Sequence, residues 1–393
     1  MSHSMDLSKL QIPACKKFSG YKPCYPYKNC LEWGCQEDTE NNRMGEKILI
    51  ISLDALGNVL DNTAVLPAVK RKFPSSTVFW ITLPNAEKIL FNNPLIDRVF
   101  VWTDEHRMIL RNIEFDYLMN ADKSDCACAF ANEVDAKKKL GFLLNTYGKI
   151  VPANEGALYN YRMGNDDELK FRKNQRTGLN INHETFELEY RKDEHTFTLT
   201  DEEKQFVEQY KLEIEYDPSK TYVGFNTGCS SLFPNKKMTI DQHVKLAEEL
   251  VHDHNLVLVL LGGKEDTERN AAILASLNES IRGKVISTPT EFGLRRGACF
   301  IDLCDVVITG DSFGMHLAIA LKKYVVAWFG LSCWTEIELY GRGEKLIPHG
   351  LECAPCWKRE CPYNLECIQM IDLNRIVQLV RSYAASHKRQ TVS

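Results

Sequence analysis

Continuous apolar runs at regular intervals organise this chain. Residues 1–45 show little hydrophobic period. The run ILIISL (Ile48 to Leu53) that follows is apolar almost throughout, the pattern of a parallel strand covered on both faces. It breaks at Gly57. Val59, Leu60, Thr63 and Leu66 then recur at helical spacing, with Pro67 expected to kink or interrupt the helix. TVFWIT (Thr77 to Thr82), RVFVW (Arg98 to Trp102) and FDYLMN (Phe115 to Asn120) predict further strands, with a short helix to Leu90 after the first, and KKLGFLL near residue 140 suggests another. Residues 154–215 are polar and charged, and GNDDELKFRKNQRTG within them predicts an exposed insertion, either a solvated surface or the neighbour of a cleft.

The alternation then restarts. TYVGFNT (Thr221 to Thr227), LVLVLLGG (Leu256 to Gly263), KVIST, VVITG (Val306 to Gly310) and YVVAWFG (Tyr324 to Gly330) predict strands. Helices are expected from about Asp241 to His252, through Leu277, ending near Cys299, from Ser312 to Leu321 and from Ile371 to Ser386. Strands alternating with helices imply βαβ units and parallel sheets. The fold class is therefore α/β, with two Rossmann-like halves around a cleft and ligands beyond the carboxyl ends of the strands. The expected division is a cysteine-rich module (1–45), a first Rossmann-like domain (46–215), a second (216–370) with a cysteine cluster at 353–367, and a terminal helix and tail (371–393).

A length of 393 residues suits two such domains. The net charge of −5 supplies no broad attraction to nucleic acid or anionic lipid. No apolar run approaches the roughly 20 residues that span a bilayer, and MSHSMDLSKLQIPACKK lacks the apolar stretch of a secretory signal. The expected location is the cytoplasm.

Three strand-to-helix turns carry candidate chemistry. Around Gly57 stand Asp54, Asn58 and Asp61, which matter if a hydroxyl has to lose a proton there. After Thr221–Thr227 comes a loop whose Thr227, Ser230 and Ser231 hydroxyls can donate to phosphate oxygens, with Lys236 or Lys237 as a point charge. Gly310, Asp311, Ser312 and Gly314 lead into a helix whose first amides can face an anion. Asp311 and Ser312 are equally consistent with simple helix caps, and His316 with a satisfied, partly buried histidine.

Taken together, these segments resemble glycosyltransferase family 9. ILIISLDALGNVLDNTAVLPAVKRKFP is similar to the family's first strand, L-G-D-V turn and L-P-A-L helix. FNNPLIDRVF resembles its N-P-x-I-D-x-V segment, TGCSSLFPNKKMT its K-x-W loop, and TGDSFGMHLAIALKK its G-D-T-G-x-x-H-L-A-A-A-L motif. The resemblance runs in order over about residues 46–380. It implies a GT-B type fold, an ADP-sugar donor of the ADP-heptose kind, and transfer with inversion to a glycan, a lipopolysaccharide core or a protein. By the same resemblance the first domain takes the acceptor and the second the nucleotide sugar. Lys236 falls on the phosphate-contacting lysine, Asp311 and Ser312 on the acid and hydroxyl that grip the donor, and His316 on the motif histidine. Glu265, Asp266 and Glu268 lie where an acid meets the nucleotide. Phe313 stands where the family has glycine.

Asn58 departs from the family, which has aspartate there as general base. An inverting transfer needs a group to accept the acceptor hydroxyl's proton, and asparagine cannot. Asp54, Asp61 or Asp122 is the expected replacement, with Asp122 and Asp54 ranked above Asp61. The other outcome is a catalytically weak scaffold that keeps the sugar-nucleotide fold. An NAD-dependent oxidoreductase is disfavoured, because no G-x-G-x-x-G follows either domain's first strand.

Of the 14 cysteines, eight form two clusters: Cys15, Cys24, Cys30 and Cys35, and Cys353, Cys356, Cys361 and Cys367. Four thiolates at short spacing suit structural zinc or iron, including an iron–sulfur cluster. Disulfides are disfavoured in a reducing compartment.

Overall fold

The structure, a computed structural model, describes residues 12–24, 29–31 and 42–391. The first sheet contains β1 (Lys47–Ile51), β2 (Thr77–Thr82), β3 (Arg98–Val101), β4 (Phe115–Asn120), β5 (Ala136–Leu144) and β6 (Ile150–Pro152), in the order β3-β2-β1-β4-β5-β6. The second contains β7 (Thr221–Asn226), β8 (Leu256–Leu261), β9 (Val285–Ser287), β10 (Val306–Gly310), β11 (Tyr324–Trp328) and β12 (Gly343–Leu346), in the order β12-β11-β10-β7-β8-β9. All pairings are parallel except β5 with β6. Each sheet runs outward in both directions from its first strand. The strand order therefore reverses between β1 and β4 in one half, and between β7 and β10 in the other. Crevices at such switch points are where open α/β sheets bind ligands. The expected GT-B arrangement of two Rossmann-like domains is what the chain adopts.

Physical patterning explains the central strands. β2 and β7 are buried at every position, and β1 at all but its first, as continuous apolar runs require. The helical segment after Gly57 divides into Leu56–Asn62 and Val65–Lys72. The break falls at Thr63 and Ala64, and Pro67 sits in the first turn of the second helix, where a missing N–H costs no hydrogen bond.

The polar segment 154–215 is exposed or half-buried over GNDDELKFRKNQRTG, where only Asn174 is buried, but not over the residues that follow it. It contributes Leu179, Ile181, Phe186, Leu188, Phe197, Leu199 and Val207 to the buried interior. It also binds both halves. Arg71 of the first half pairs with Asp193, and Arg342 of the second with Glu194. Helix Asp201–Glu213 packs on helix Gly293–Asp302 of the second half, where Arg295 pairs with Glu203. The terminal helix Leu373–Thr391 covers the second sheet, with Ile376 and Val380 fully buried. Among the described residues no helix is long and apolar enough to cross a membrane.

Candidate active site

Four turns flank the two switch points, and all four carry residues singled out by the sequence. Asp54 and Asn58 follow β1, Asp122 follows β4, the Thr227–Lys236 loop follows β7, and the Asp311–His316 turn follows β10. The halves meet where the first of these touches the last. A Cβ on Gly57 would lie 2.8 Å from the His316 ring, so only glycine lets the β1 turn approach helix Phe313–Ala320 this closely.

Asp54 and Asn58 are exposed on this turn, while Asp122 is 9% exposed. Asp122 accepts hydrogen bonds from the Leu53 and Asp54 backbone N–H groups. It thereby ties the end of β4 to the turn after β1. Burial pushes its carboxyl up to about 7 against the pull of those N–H groups, and the neighbouring Asp54 carboxylate adds to the rise.

Asp61, ranked below Asp54 and Asp122 as a base, is committed to two histidines. Its Oδ1 meets His316 Nδ1 at 2.8 Å and His195 Nε2 at 2.9 Å. One carboxylate thus joins helix Leu56–Asn62, the β10 motif and the bridging segment. Burial opposes its charge, but His316 and His195 outweigh burial, and the Asp61 carboxyl is held well below the usual range. For His316, burial disfavours the charged form, yet Asp61 prevails and raises its pKa above the ordinary imidazole value. His195 stands alone in the charged stretch RKDEHTF, where no spacing or motif signals it.

On the second half, Lys236 Nζ lies 2.7 Å from Asp311 Oδ2, and its carbonyl accepts from the buried Trp328 Nε1 at 2.9 Å. Ser312 is the N-cap residue of helix Phe313–Ala320 without capping it; its Oγ instead accepts from Asn226 Nδ2 at 2.8 Å. A Cβ on Gly314 would meet that Asn226 side chain at 2.5 Å, so glycine is required for the helix start to settle on β7. Ser230 is exposed at the loop tip.

Two expected donor contacts are corrected. Thr227 is 1% exposed and its hydroxyl is spent on Asn270 at 2.5 Å. Asp266 is buried, accepts from the Gly263 N–H at 3.0 Å and pairs with Lys237 at 3.4 Å. Both brace the loops.

Cys353, Cys356, Cys361 and Cys367 line one cavity of about 30 Å³. Burial pushes the Cys367 thiol up to about 11, and the three neighbouring thiols add to it. The four are gathered, although among the described residues no group of three or more His, Cys, Asp or Glu side chains is arranged to hold a metal ion. Of the other cluster, Cys35 lies outside the described residues, and Cys15, Cys24 and Cys30 form no such group.

Two facing Rossmann-like domains of the GT-B type, with paired switch-point turns at their cleft, define the architecture of a sugar transferase. The sequence profile of glycosyltransferase family 9 (heptosyltransferase) matches residues 105–366. The chain belongs to this family and is a glycosyltransferase. It is 22% identical over 301 residues to lipopolysaccharide heptosyltransferase 1 of Campylobacter coli, covering 72% of this chain and 84% of that protein. Its fold is similar to that of a family 9 glycosyl transferase from Veillonella parvula, with TM-score 0.68, 16% identity, and coverage of 87% of this chain and 98% of that one. It is also similar to Escherichia coli ADP-heptose LPS heptosyltransferase II, with TM-score 0.66, 17% identity, and coverage of 87% and 99%.

Proposed function

We propose that this chain moves heptose from ADP-heptose to a hydroxyl of a lipopolysaccharide core saccharide, inverting the anomeric carbon. The observation that carries this reading is the meeting of the β1 and β10 turns at Gly57 and His316, the first bearing the exposed Asp54 and the second Asp311 and Ser312. The relatives' names, LPS heptosyltransferase and ADP-heptose LPS heptosyltransferase, support the donor and the acceptor class.

Each role follows from the chemistry. Lys236 and the free amides at the start of helix Phe313–Ala320 stabilise the departing diphosphate without a catalytic metal. Asp311 and Ser312 hold the donor beside them. The acceptor hydroxyl attacks the face opposite the leaving group and gives its proton to Asp54. Asp122, buried behind the turn, fixes the β1–β4 geometry, and Asn58 offers the acceptor a hydrogen bond in place of a base.

Lys236→Ala tests the donor site. A charge-assisted contact of this kind is worth roughly 1.5–3 kcal/mol, so ADP affinity should fall about 10- to 150-fold with the fold intact. Calorimetry giving wild-type affinity would remove Lys236 from the site.

The C-terminal cysteines are proposed to hold one structural zinc or iron ion. Crowded thiols lining a cavity large enough for an ion suit a cation that draws off their protons. Protein produced with metal under reducing conditions should carry one equivalent that Cys353→Ser with Cys356→Ser abolishes. Elemental analysis finding no metal in the unaltered chain would end this proposal.

A further inference from the structure

Trp357 has no place in the machinery described so far, yet its environment is unusual. It lies inside the cysteine loop with φ 51°, a left-handed conformation that a bulky side chain rarely adopts. The backbone N–H groups of Cys356 and Trp357 both donate to the Leu331 carbonyl, at 3.0 and 2.9 Å, and hold the loop in that shape. Uncommon backbone of this sort gathers at functional sites.

The indole has two ammonium groups near its ring, from different segments of the chain. Lys236 Nζ, from the second half, lies 4.8 Å from its ring centroid, and Lys170 Nζ, from the bridging segment, lies 5.3 Å from it. Phe233 meets the indole edge-on at 5.3 Å and also carries Lys236 at 5.4 Å. The loop is tied to both segments as well. Asn235 Nδ2, next to Lys236, donates to the Lys358 carbonyl at 3.0 Å, and Arg172, next but one to Lys170, donates to the Ala354 carbonyl at 2.9 Å. Lys236 has Asp311 as an ion partner, whereas among the described residues no carboxylate lies within 4.0 Å of Lys170, and Glu336 feels its charge from farther off. Two like charges close to one ring repel each other, and an anion near both relieves that repulsion.

The geometry points to Trp357 as a positioning residue that aims Lys170 and Lys236 together at the diphosphate of the nucleotide sugar, making Lys170 a second cation of the donor site. This rests on the reading of Lys236 as a diphosphate contact. The cysteine loop then does more than stabilise the second domain, because it carries the surface on which the donor's cations are set. When the bond from the anomeric carbon to the diphosphate oxygen breaks, the electron pair stays on that oxygen, and the two ammonium groups share the added charge.

The test is ADP binding by calorimetry, paired with donor kinetics. Asparagine accepts left-handed backbone, so Trp357→Asn keeps the loop's conformation and removes only the ring. Its ADP affinity should fall about 5- to 30-fold, the range of a desolvated cation–π contact. Trp357→Phe should recover most of the loss. Lys170→Met, on a half-exposed side chain that does not support the core, should weaken ADP about tenfold, as loss of one charge-assisted contact would, and flatten the salt dependence of binding. The effect should appear in donor KM more than in kcat. If Lys236→Ala weakens ADP while Trp357→Asn and Lys170→Met bind it like wild type, the positioning role is overturned and the donor site stands. If Lys236→Ala is itself without effect, the donor reading fails first. A Trp357→Asn protein that melts far below wild type would shift the decision to Lys170→Met alone.

Discussion

Asp54→Asn is expected to slow transfer by about 10²–10⁴-fold, the usual loss for a general base, while ADP affinity stays at the wild-type level. Asp54 is the exposed carboxylate on the β1 turn, and asparagine preserves its shape. Asp122→Asn should also slow the reaction, by a different route. Its two backbone N–H partners need an acceptor, and an amide places a donor against one of them. Because Asp122 titrates at about 7, wild-type rates should fall as pH drops through that value, where the added proton faces the same N–H groups. Measuring single-turnover rates for both variants beside Asn58→Asp decides the matter. Full activity in both Asp54→Asn and Asp122→Asn would show that the proton leaves elsewhere. An inactive wild type revived by Asn58→Asp would instead identify a degenerate scaffold.

Asp61→Asn is expected to cost about 2–4 kcal/mol of stability, toward the lower part of the range for breaking a buried pair because its side chain is 23% exposed. The pH dependence follows from the two shifts. The lowered Asp61 pKa supplies stability above the unfolded carboxylate value of about 4, and that stability is lost as pH falls toward the folded value. The raised His316 pKa supplies stability that is complete below about 6.5 and is lost as pH rises through the folded value. The gap between wild type and Asp61→Asn should therefore be widest between about pH 4 and 6.5 and should narrow at alkaline pH. Denaturation midpoints at pH 5, 7 and 9 provide the comparison; a gap that ignores pH would mean the histidines carry no charge on Asp61.

The sequence was most legible where one element accounts for its own pattern. TVFWIT and FDYLMN are strands over the residues expected, because burial on both faces demands continuous apolar side chains. β6 (IVP) and β12 (GEKL) are half-buried edge strands, too short and mixed to stand out. The four switch-point turns were visible as motifs, but their use was not. Thr227 and Asp266 looked like ligand contacts until their partners, Asn270 and Lys237, were brought beside them by folding. Asp61 ranks last on its place one turn along the helix from Asn58; its histidine partners lie 134 and 255 residues away, and no local spacing reports such contacts. The buried part of the bridging segment, after GNDDELKFRKNQRTG, is illegible for a related reason. Its apolar residues are scattered singly among charges, and each is buried by a different neighbour.

That segment also carries the crossing from one half to the other. Thr196 is fastened to the first half through Thr63 and Asn93, while Thr200 already caps helix Asp201–Glu213, which rides on the second half. Between them Thr198 touches both halves: its hydroxyl donates to the Asn92 carbonyl at 2.9 Å and its carbonyl accepts from Arg295 at 2.8 Å. A separately produced second half begun at residue 216 would leave the buried Arg295 guanidinium without Glu203 and bare the face of Phe300 that Phe206 and Tyr210 cover. One begun at Thr200 would keep both.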